Sequence, residues 1–524
     1  ATIHAAPPKV ERLFPAGGSV GGTVEVTISG SLGDAPVQAW CSQPGVTVEI
    51  PEKPEKTVRV QIAEEASPGL CWLRFHNAEG ASSLRPFVVG TLPEVVETEP
   101  NNRLDEAKPL ESSRLVVNGV LSKDGEVDAF AVPLRQGETV VLSMAAHRPL
   151  GSPMDGILQL VSPAGFVLEQ NDDEHGLDPQ IVFTAEEDGT YFVRTFAFPA
   201  EPTSRVRLAG GGDFIYRLTI TTGPFVDHVR PLAVTAGEER PVRPFGWNIP
   251  EALAELPVTA SSEPFLLTLS HSQLANTAEI SIVPHATGLE QEPNGRDQPQ
   301  EIPLPLTLTG CIDAPEDADV YRFTAAKGQK LAFRVESRAL GQPLDPVLNL
   351  TDAGGKSLRR VDDASRGEFD AELEHAIPAD GDYRLEVTDL HGRGGFRYVY
   401  RLTAGLETPR FSLELKSDAF TLPADKPLEV PVTVGRDEGF DGEITVSVEG
   451  LPEHVTAEAV ASQPKGDTSK TVKLTLTAKE PTAWSGPIRI IGTSDEGGPQ
   501  SAAAPLAGLE ATTTKLWLTV RGSE

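Results

Sequence analysis

The sequence predicts an all-β protein, a linear array of about five β-sandwich domains. Three observations lead there. At 524 residues the chain is several times the size of one ordinary domain, roughly 100–150 residues. Proline (45) and glycine (48) punctuate it while aromatics make up only 6%, and the segments between turns alternate Val, Thr and Leu with polar residues, the period-2 pattern of half-buried strands. Long stretches also recur in register, so one module has been used more than once.

Taken in chain order, residues 1–92 open with the turn-rich Pro15-Ala16-Gly17-Gly18-Ser19-Val20-Gly21-Gly22 and the alternating strand Thr23-Val24-Glu25-Val26-Thr27-Ile28-Ser29-Gly30. Residues 93–223 carry Glu97-Thr98-Glu99-Pro100-Asn101-Asn102, then the acidic turn Asp124-Gly125-Glu126-Val127-Asp128-Ala129-Phe130. The strand Val140, Leu142, Met144 follows a Gly137-Glu138 turn. Residues 224–287 repeat the first domain faintly: Pro15, Gly21, Val26 and Gly30 map at a constant offset of 216 onto Pro231, Gly237, Val242 and Gly246. The prolines of Arg240-Pro241-Val242-Arg243-Pro244-Phe245-Gly246 demote that segment to an edge or irregular strand.

Residues 288–405 repeat the second domain strongly. Glu290-Gln291-Glu292-Pro293-Asn294-Gly295, Asp319, Asp345, Asp362-Asp363, Asp380-Gly381-Asp382-Tyr383 and Tyr400-Arg401-Leu402-Thr403 answer Glu97, Asp128, Asp155, Asp172-Asp173, Asp188-Gly189-Thr190-Tyr191 and Tyr216-Arg217-Leu218-Thr219. The offset drifts from 193 to 184, so small loop changes separate two homologous copies, and the duplicated unit is a pair of domains. Leu331, Phe333 and Val335 repeat the alternating strand. Residues 406–524 read as a final immunoglobulin-like sandwich from Asp441–Val448, the turn Gly450-Leu451-Pro452 and Thr471–Leu476, without an acidic signature.

A net charge of −31 argues against nucleic acid, whose phosphates select basic surfaces, and against anionic membranes. It suits divalent cations, or simple solvation. No apolar run is long enough to span a bilayer. No signal peptide is visible, and Ala1-Thr2-Ile3-His4-Ala5 reads as a mature end left by cleavage, which makes the expected location secreted or cell-surface, the periplasm included. Of three cysteines, Cys41 and Cys71 share a domain, either bridged or as buried thiols, and Cys311 stands alone. Zinc spacings, a nucleophile elbow and a phosphate loop are absent, so no catalytic residue is assigned. Phe192, Phe196 and Phe198 share one parity, as a core row or as an apolar binding surface.

The repeated Glu-x-Glu-Pro-Asn, the aspartate opening an aromatic strand and Asp-Gly-x-Tyr together resemble the bacterial pre-peptidase C-terminal (PPC) domain family, over 93–223 and 288–405. The Pro15–Gly22 segment resembles IPT/TIG-type immunoglobulin-like domains. From the related collagen-binding domains of bacterial collagenases, the resemblance implies a Ca2+ site in each copy. Its ligands would be Glu97, Glu99, Asn101, Asn102 and Asp128, with Asp124 or Glu126 substituting where Gly125 lacks a carboxylate. In the second copy they would be Glu290, Glu292, Asn294, Glu316 and Asp319, with one lost at Gly295. The chemistry is adequate, because calcium takes six to eight oxygens, amide and backbone carbonyls included. The tyrosines of the collagen-binding relatives fall on Phe196, Phe198, Thr388 and Leu390, so collagen is not the expected ligand.

The expected function is therefore a non-catalytic, calcium-binding protein of adhesion, matrix or scaffold type, with a protein or polysaccharide partner at the cell surface. The alternative is an accessory or targeting part of an extracellular hydrolase whose catalytic domain lies elsewhere.

Overall fold

Alternation along the strands sets the architecture, because each sheet buries one parity of side chains against a second sheet. The computed structural model describes residues 6–52, 56–201, 207–261, 265–365, 367–406, 410–437, 439–480, 482–495 and 497–522. The expected mature end at residues 1–5 lies outside these. The described chain is nearly all β.

In the first unit, Lys9–Phe14, Thr23–Ser31, Thr57–Ile62 and Val46–Glu49 form one sheet, and Gly17–Ser19, Arg85–Gly90, Gly69–Asn77 and Gln38–Cys41 the other. Val26, Ile28, Val60, Leu73, Phe75 and Phe87 close the core between them, each burial contributing about 1.5–3 kcal/mol. Cys41 and Cys71 are both free thiols. Burial pushes Cys41 up to about 12.

The second and fourth units share one strand order. In the second, Glu94–Val96, Arg114–Val120, Ile215–Thr221, Thr139–Ala145 and Gln180–Thr184 face Lys108–Pro109, Asp128–Leu134, Gly189–Pro199, Met154–Val161 and Val167–Asn171. In the fourth, Thr287–Leu289, Leu306–Cys311, Val399–Leu406, Lys330–Glu336 and Ala371–Ala376 face Gln300–Glu301, Asp319–Ala325, Gly381–Asp389, Pro346–Asp352 and Ser357–Val361. Val140, Leu142 and Met144, and their counterparts Leu331, Phe333 and Val335, point into the two cores as their parity requires. Phe192, Phe196 and Phe198 do not; Tyr191, Val193 and Ala197 take the inward parity and the phenylalanines lie half-buried outside.

The third unit is smaller. Phe225–Arg230 pairs with Arg243–Trp247 across a bulge, and Ala233–Thr235, Ala278–Val283 and Phe265–Leu269 form a second sheet. It shares one backbone feature with the first unit: a Cβ on Gly30 would lie 2.2 Å from the Lys9 carbonyl, and one on Gly246 2.1 Å from that of Phe225. Both glycines have positive φ, so the same close strand crossing selects the same residue. Phe225 and Ala275 bury the outer face of the second unit at Val116 and Val141, together with Leu92. At Val116 and Val141 the sheet is therefore buried on both faces.

The fifth unit pairs Phe411–Glu414, Leu428–Arg436, Thr471–Ala478 and Val455–Ala457 against Ala419–Leu422, Leu516–Val520, Trp484–Thr493, Ile444–Glu449 and Val460–Ser462. The units follow one another along the chain, but the path closes in space. Arg74 Nη2 meets Asp418 Oδ2 at 2.7 Å with both side chains buried, and Ser83 Oγ and the Leu84 N–H donate to the same carboxylate at 3.0 and 3.3 Å. The Trp517 ring packs 5.9 Å from Trp40 and 4.9 Å from His76, and Arg85 donates to the Ala507 carbonyl at 2.6 Å.

Removing one partner of a buried ion pair strands the other, at about 3–5 kcal/mol. Asp418→Ala is expected to release the fifth unit from the first and increase the maximum dimension in small-angle scattering. An unchanged scattering profile would show that the apolar contacts suffice.

Candidate metal centres

Each acidic signature leaves a short parallel edge strand and is stitched to the opposite sheet. Glu97 N–H donates to the Asn118 carbonyl at 3.0 Å, and the Asn101 carbonyl accepts from Ala129 N–H at 2.8 Å. Glu290 and Asn294 repeat both bonds, with Thr309 (3.0 Å) and Val320 (2.8 Å). These bonds place the first glutamate and the asparagine beside the aspartate that starts the facing strand. The result is one carboxylate triplet per copy, Glu97, Glu99 and Asp128, and Glu290, Glu292 and Asp319, whose oxygens lie within 4.8 Å of one another.

A tyrosine that the sequence reading did not place in the site closes each centre from behind. Tyr216 Oη donates to Asp128 Oδ2 at 2.6 Å and to Glu97 Oε2 at 3.1 Å, sharing its one proton between them. Tyr400 Oη donates to Asp319 Oδ2 at 2.5 Å. Both rings cross the neighbouring strand over a glycine: a Cβ on Gly119 or Gly310 would sit 2.2 or 2.3 Å from the ring. The repeated Tyr-Arg-Leu-Thr was the available signal.

The remaining donors are few. Glu97 Oε1 accepts from Val120 N–H at 2.5 Å, and Asn101 Nδ2 approaches Oε2 at 3.3 Å. Asp128 Oδ1 and Asn101 Oδ1 are buried without a partner. In the second copy Glu290 Oε2 accepts from Cys311 N–H at 2.7 Å. The Asn294 amide lies 3.0 Å from Glu292 Oε1 and 3.1 Å from Asp319 Oδ1; turned nitrogen-first it donates to both, and turned oxygen-first it completes an all-oxygen ring. Unpartnered inward oxygens on a carboxylate set of this density fit a hard cation, which takes oxygen ligands in flexible number.

Electrostatics point the same way. Desolvation, then the Glu97 charge, pushes Asp128 up to about 9, and burial also raises Glu97. Desolvation, then Asp319, brings Glu290 to about 9. Desolvation raises Asp319 to about 7, less than its counterpart, with the Tyr400 hydrogen bond opposing the shift. Burial and mutual repulsion thus favour the protonated form in each cluster, and a bound cation would oppose that shift.

Other expected ligands lie elsewhere. Asp124 is held by Arg207 at 2.6 Å and the Gly210 N–H at 3.3 Å, so it serves the turn instead of the triplet. Glu126 is turned back onto the Ser122 and Lys123 N–H groups; Asp317 caps the matching turn at Asp313 N–H. Glu316 occupies the left-handed position of Gly125, with φ 63° against 79°, and its carboxylate leans over Gly392, outside the triplet. Asn102 presents its Nδ2, not its oxygen, to Glu99 at 3.0 Å.

The second centre is also wired to its neighbours. Cys311, whose place Val120 takes in the first copy, receives Arg230 Nη2 on its sulfur at 2.9 Å, and Arg230 Nε donates to His228 Nε2 at 3.2 Å. His228 Nδ1 donates to Asp227 at 2.8 Å, and Arg397 joins Asp227 (2.8 Å) to Glu174 of the second unit.

No family model matches the chain. A probable subtilase-type serine protease of Deinococcus radiodurans is 32% identical over 96 residues, which are 18% of this chain and 13% of that protein. Similar solved structures include the pre-peptidase C-terminal domain of collagenase from Bacillus anthracis, at 19% identity, covering 20% of this chain and 92% of that one, TM-score 0.16. Another is the Bacteroides ovatus mixed-linkage glucan utilization locus protein SGBP-B, solved with a mixed-linkage heptasaccharide, at 9% identity, 76% and 74% coverage and TM-score 0.14.

A carboxyl whose folded pKa is raised stabilises the fold fully below its unfolded pKa and loses that contribution as pH rises through the folded value. In chelator, the melting temperature should fall between about pH 4 and pH 9 from these clusters, and Asp128→Asn with Glu290→Gln should flatten the decline. A decline of equal slope in the double variant would place its origin elsewhere.

Proposed function

We propose that this chain is a non-catalytic extracellular scaffold or adhesion protein in which two PPC-like sandwiches each hold one Ca2+ that locks the segment leading into the sandwich. The observation that carries this reading is the convergence, in both copies, of three carboxylates beside an asparagine, with Asp128 Oδ1 and Asn101 Oδ1 of the first copy buried and unpartnered. Glu97, Glu99, Asp128 and Asn101 would hold the ion in one copy, and Glu290, Glu292, Asp319 and Asn294 in the other. Calcium is favoured over magnesium because it accepts carboxylate and amide oxygens in flexible geometry, whereas magnesium demands near-octahedral geometry and keeps its waters. Neutralising the triplet removes a repulsion that otherwise favours its protonated form. The partner would be a protein or polysaccharide at the cell surface, and the chain's part would be positioning.

A second reading, an accessory region of an extracellular hydrolase, draws on the identity shared with the Deinococcus protease. A co-purifying enzyme or a precursor with a catalytic domain would favour it over the first.

Extracellular calcium modules bind at about 10⁻⁴ to 10⁻³ M, so calcium at about 10 mM, a roughly ten- to hundredfold excess over Kd, stabilises a site by about 1.4 to 2.7 kcal/mol. Chelator should therefore lower the melting temperature by several degrees, millimolar calcium should restore it, and magnesium should restore less. Asp128→Asn and Asp319→Asn should each abolish part of the response. A transition that ignores calcium would remove the ion from this reading. Separately, protease, glycosidase and esterase substrate panels should show no turnover; activity abolished by a single substitution would overturn the non-catalytic assignment.

A further inference from the structure

A cavity of about 320 Å³ lies where the first four units meet, lined by Leu92 of the first, Ser143, Gln180 and Thr219 of the second, Phe225 and Ala275 of the third and Gln342 of the fourth. Its volume is at the lower end of small-molecule sites, which favour domain junctions. Its floor is the outer face of a second-unit sheet. Thr219, Ser143 and Gln180 stand side by side there, paired in register across three adjacent strands.

The duplicate shows what this floor looks like when it is filled. The equivalent row in the fourth unit is Thr403, Arg334 and Glu372, and the next pair is Arg401 with Glu336, an ion pair at 2.7 Å. In the second unit Ser143 stands for Arg334, Gln180 for Glu372 and Ala145 for Glu336. At the strands that floor the cavity, neutral serine, glutamine and alanine thus stand where the fourth unit has an arginine and two glutamates, while Arg217 keeps the place of Arg401. Among the described residues none of the Ser143, Thr219 and Gln180 side chains has a protein hydrogen-bond partner, although Gln180 is only 5% exposed. The buried Arg217 Nε, on the same lining, is also unpartnered, while its Nη2 is neutralised by Glu94. Val116 continues the floor's row beside Thr219, and apolar side chains of Leu92, Phe225 and Ala275 face it from the first and third units.

We infer that this cavity binds a small neutral polyhydroxylated ligand of monosaccharide size. One wall meets the C–H face of a sugar ring, and the row of hydroxyls and amide meets its OH groups, each able to donate or accept. The assignment does not depend on the metal centres, so it survives or fails apart from them.

The test is calorimetric titration of the full chain, held in calcium, with glucose, galactose, mannose and N-acetylglucosamine, and with glucuronate as the charged control. At least one neutral sugar should bind. Ser143→Arg, which installs the duplicate's residue, should abolish that binding, and the milder Thr219→Val should weaken it about fivefold, the loss of one neutral hydrogen bond. A cooperative thermal transition at the parent chain's melting temperature certifies that each variant is folded. No binding by any neutral sugar, glucuronate binding alone, or unchanged affinity in a folded Ser143→Arg would each overturn the inference.

Discussion

Burying carboxylates next to one another is the constraint on which the paired sandwiches depend. Asp128 and Asp319 are fully buried, and each shares its pocket with a half-buried glutamate, Glu97 or Glu290. Desolvation and mutual repulsion both oppose their charge, and the hydrogen bonds from one tyrosine and one backbone amide do not compensate them. Other choices follow from this one. A glycine must stand where the tyrosine crosses, the signature must be stitched to the opposite sheet, and the adjoining acidic side chain must turn back onto its own loop.

The two copies solve the problem with different margins. Tyr321 stands where the first copy has Phe130, and its hydroxyl lies 2.6 Å from that of Tyr400. The tyrosine proton is then directed at Asp319 alone, in keeping with the smaller shift of that aspartate. Cys311 extends the second centre outward through Arg230 and His228, whereas Val120 ends the first centre in an apolar side chain. Two sandwiches of one strand order thus share a carboxylate centre and differ in what that centre touches.

Much of this was legible in the chain. Period-2 alternation revealed the strands, and the resemblance to calcium-binding domains of bacterial collagenases implied Glu97, Glu99 and Asp128 as one ligand set. What remained hidden depended on direction. Asp124, Glu126 and Glu316 have suitable chemistry at suitable spacing, but backbone dihedrals and a nearby Arg207 decide where their carboxylates point. Tyr216 and Tyr400 were visible only as repeated identities, because they reach the site from a strand distant in sequence. Phe192, Phe196 and Phe198 show the same limit: a row of one parity is legible, but which parity faces inward belongs to the partner sheet. Contacts between units, including Arg74 with Asp418, have no local pattern at all.

That last pair gives the assembly an unusual mechanical layout. Five sandwiches in series would carry tension through four successive connections, and the weakest would give first. With the fifth unit seated on the first, a pull between those two units divides between the covalent path and a short bridge of one buried ion pair, a tryptophan and a few carbonyl bonds. The intervening three units are then shielded from load until that bridge parts, and slack is released only afterwards.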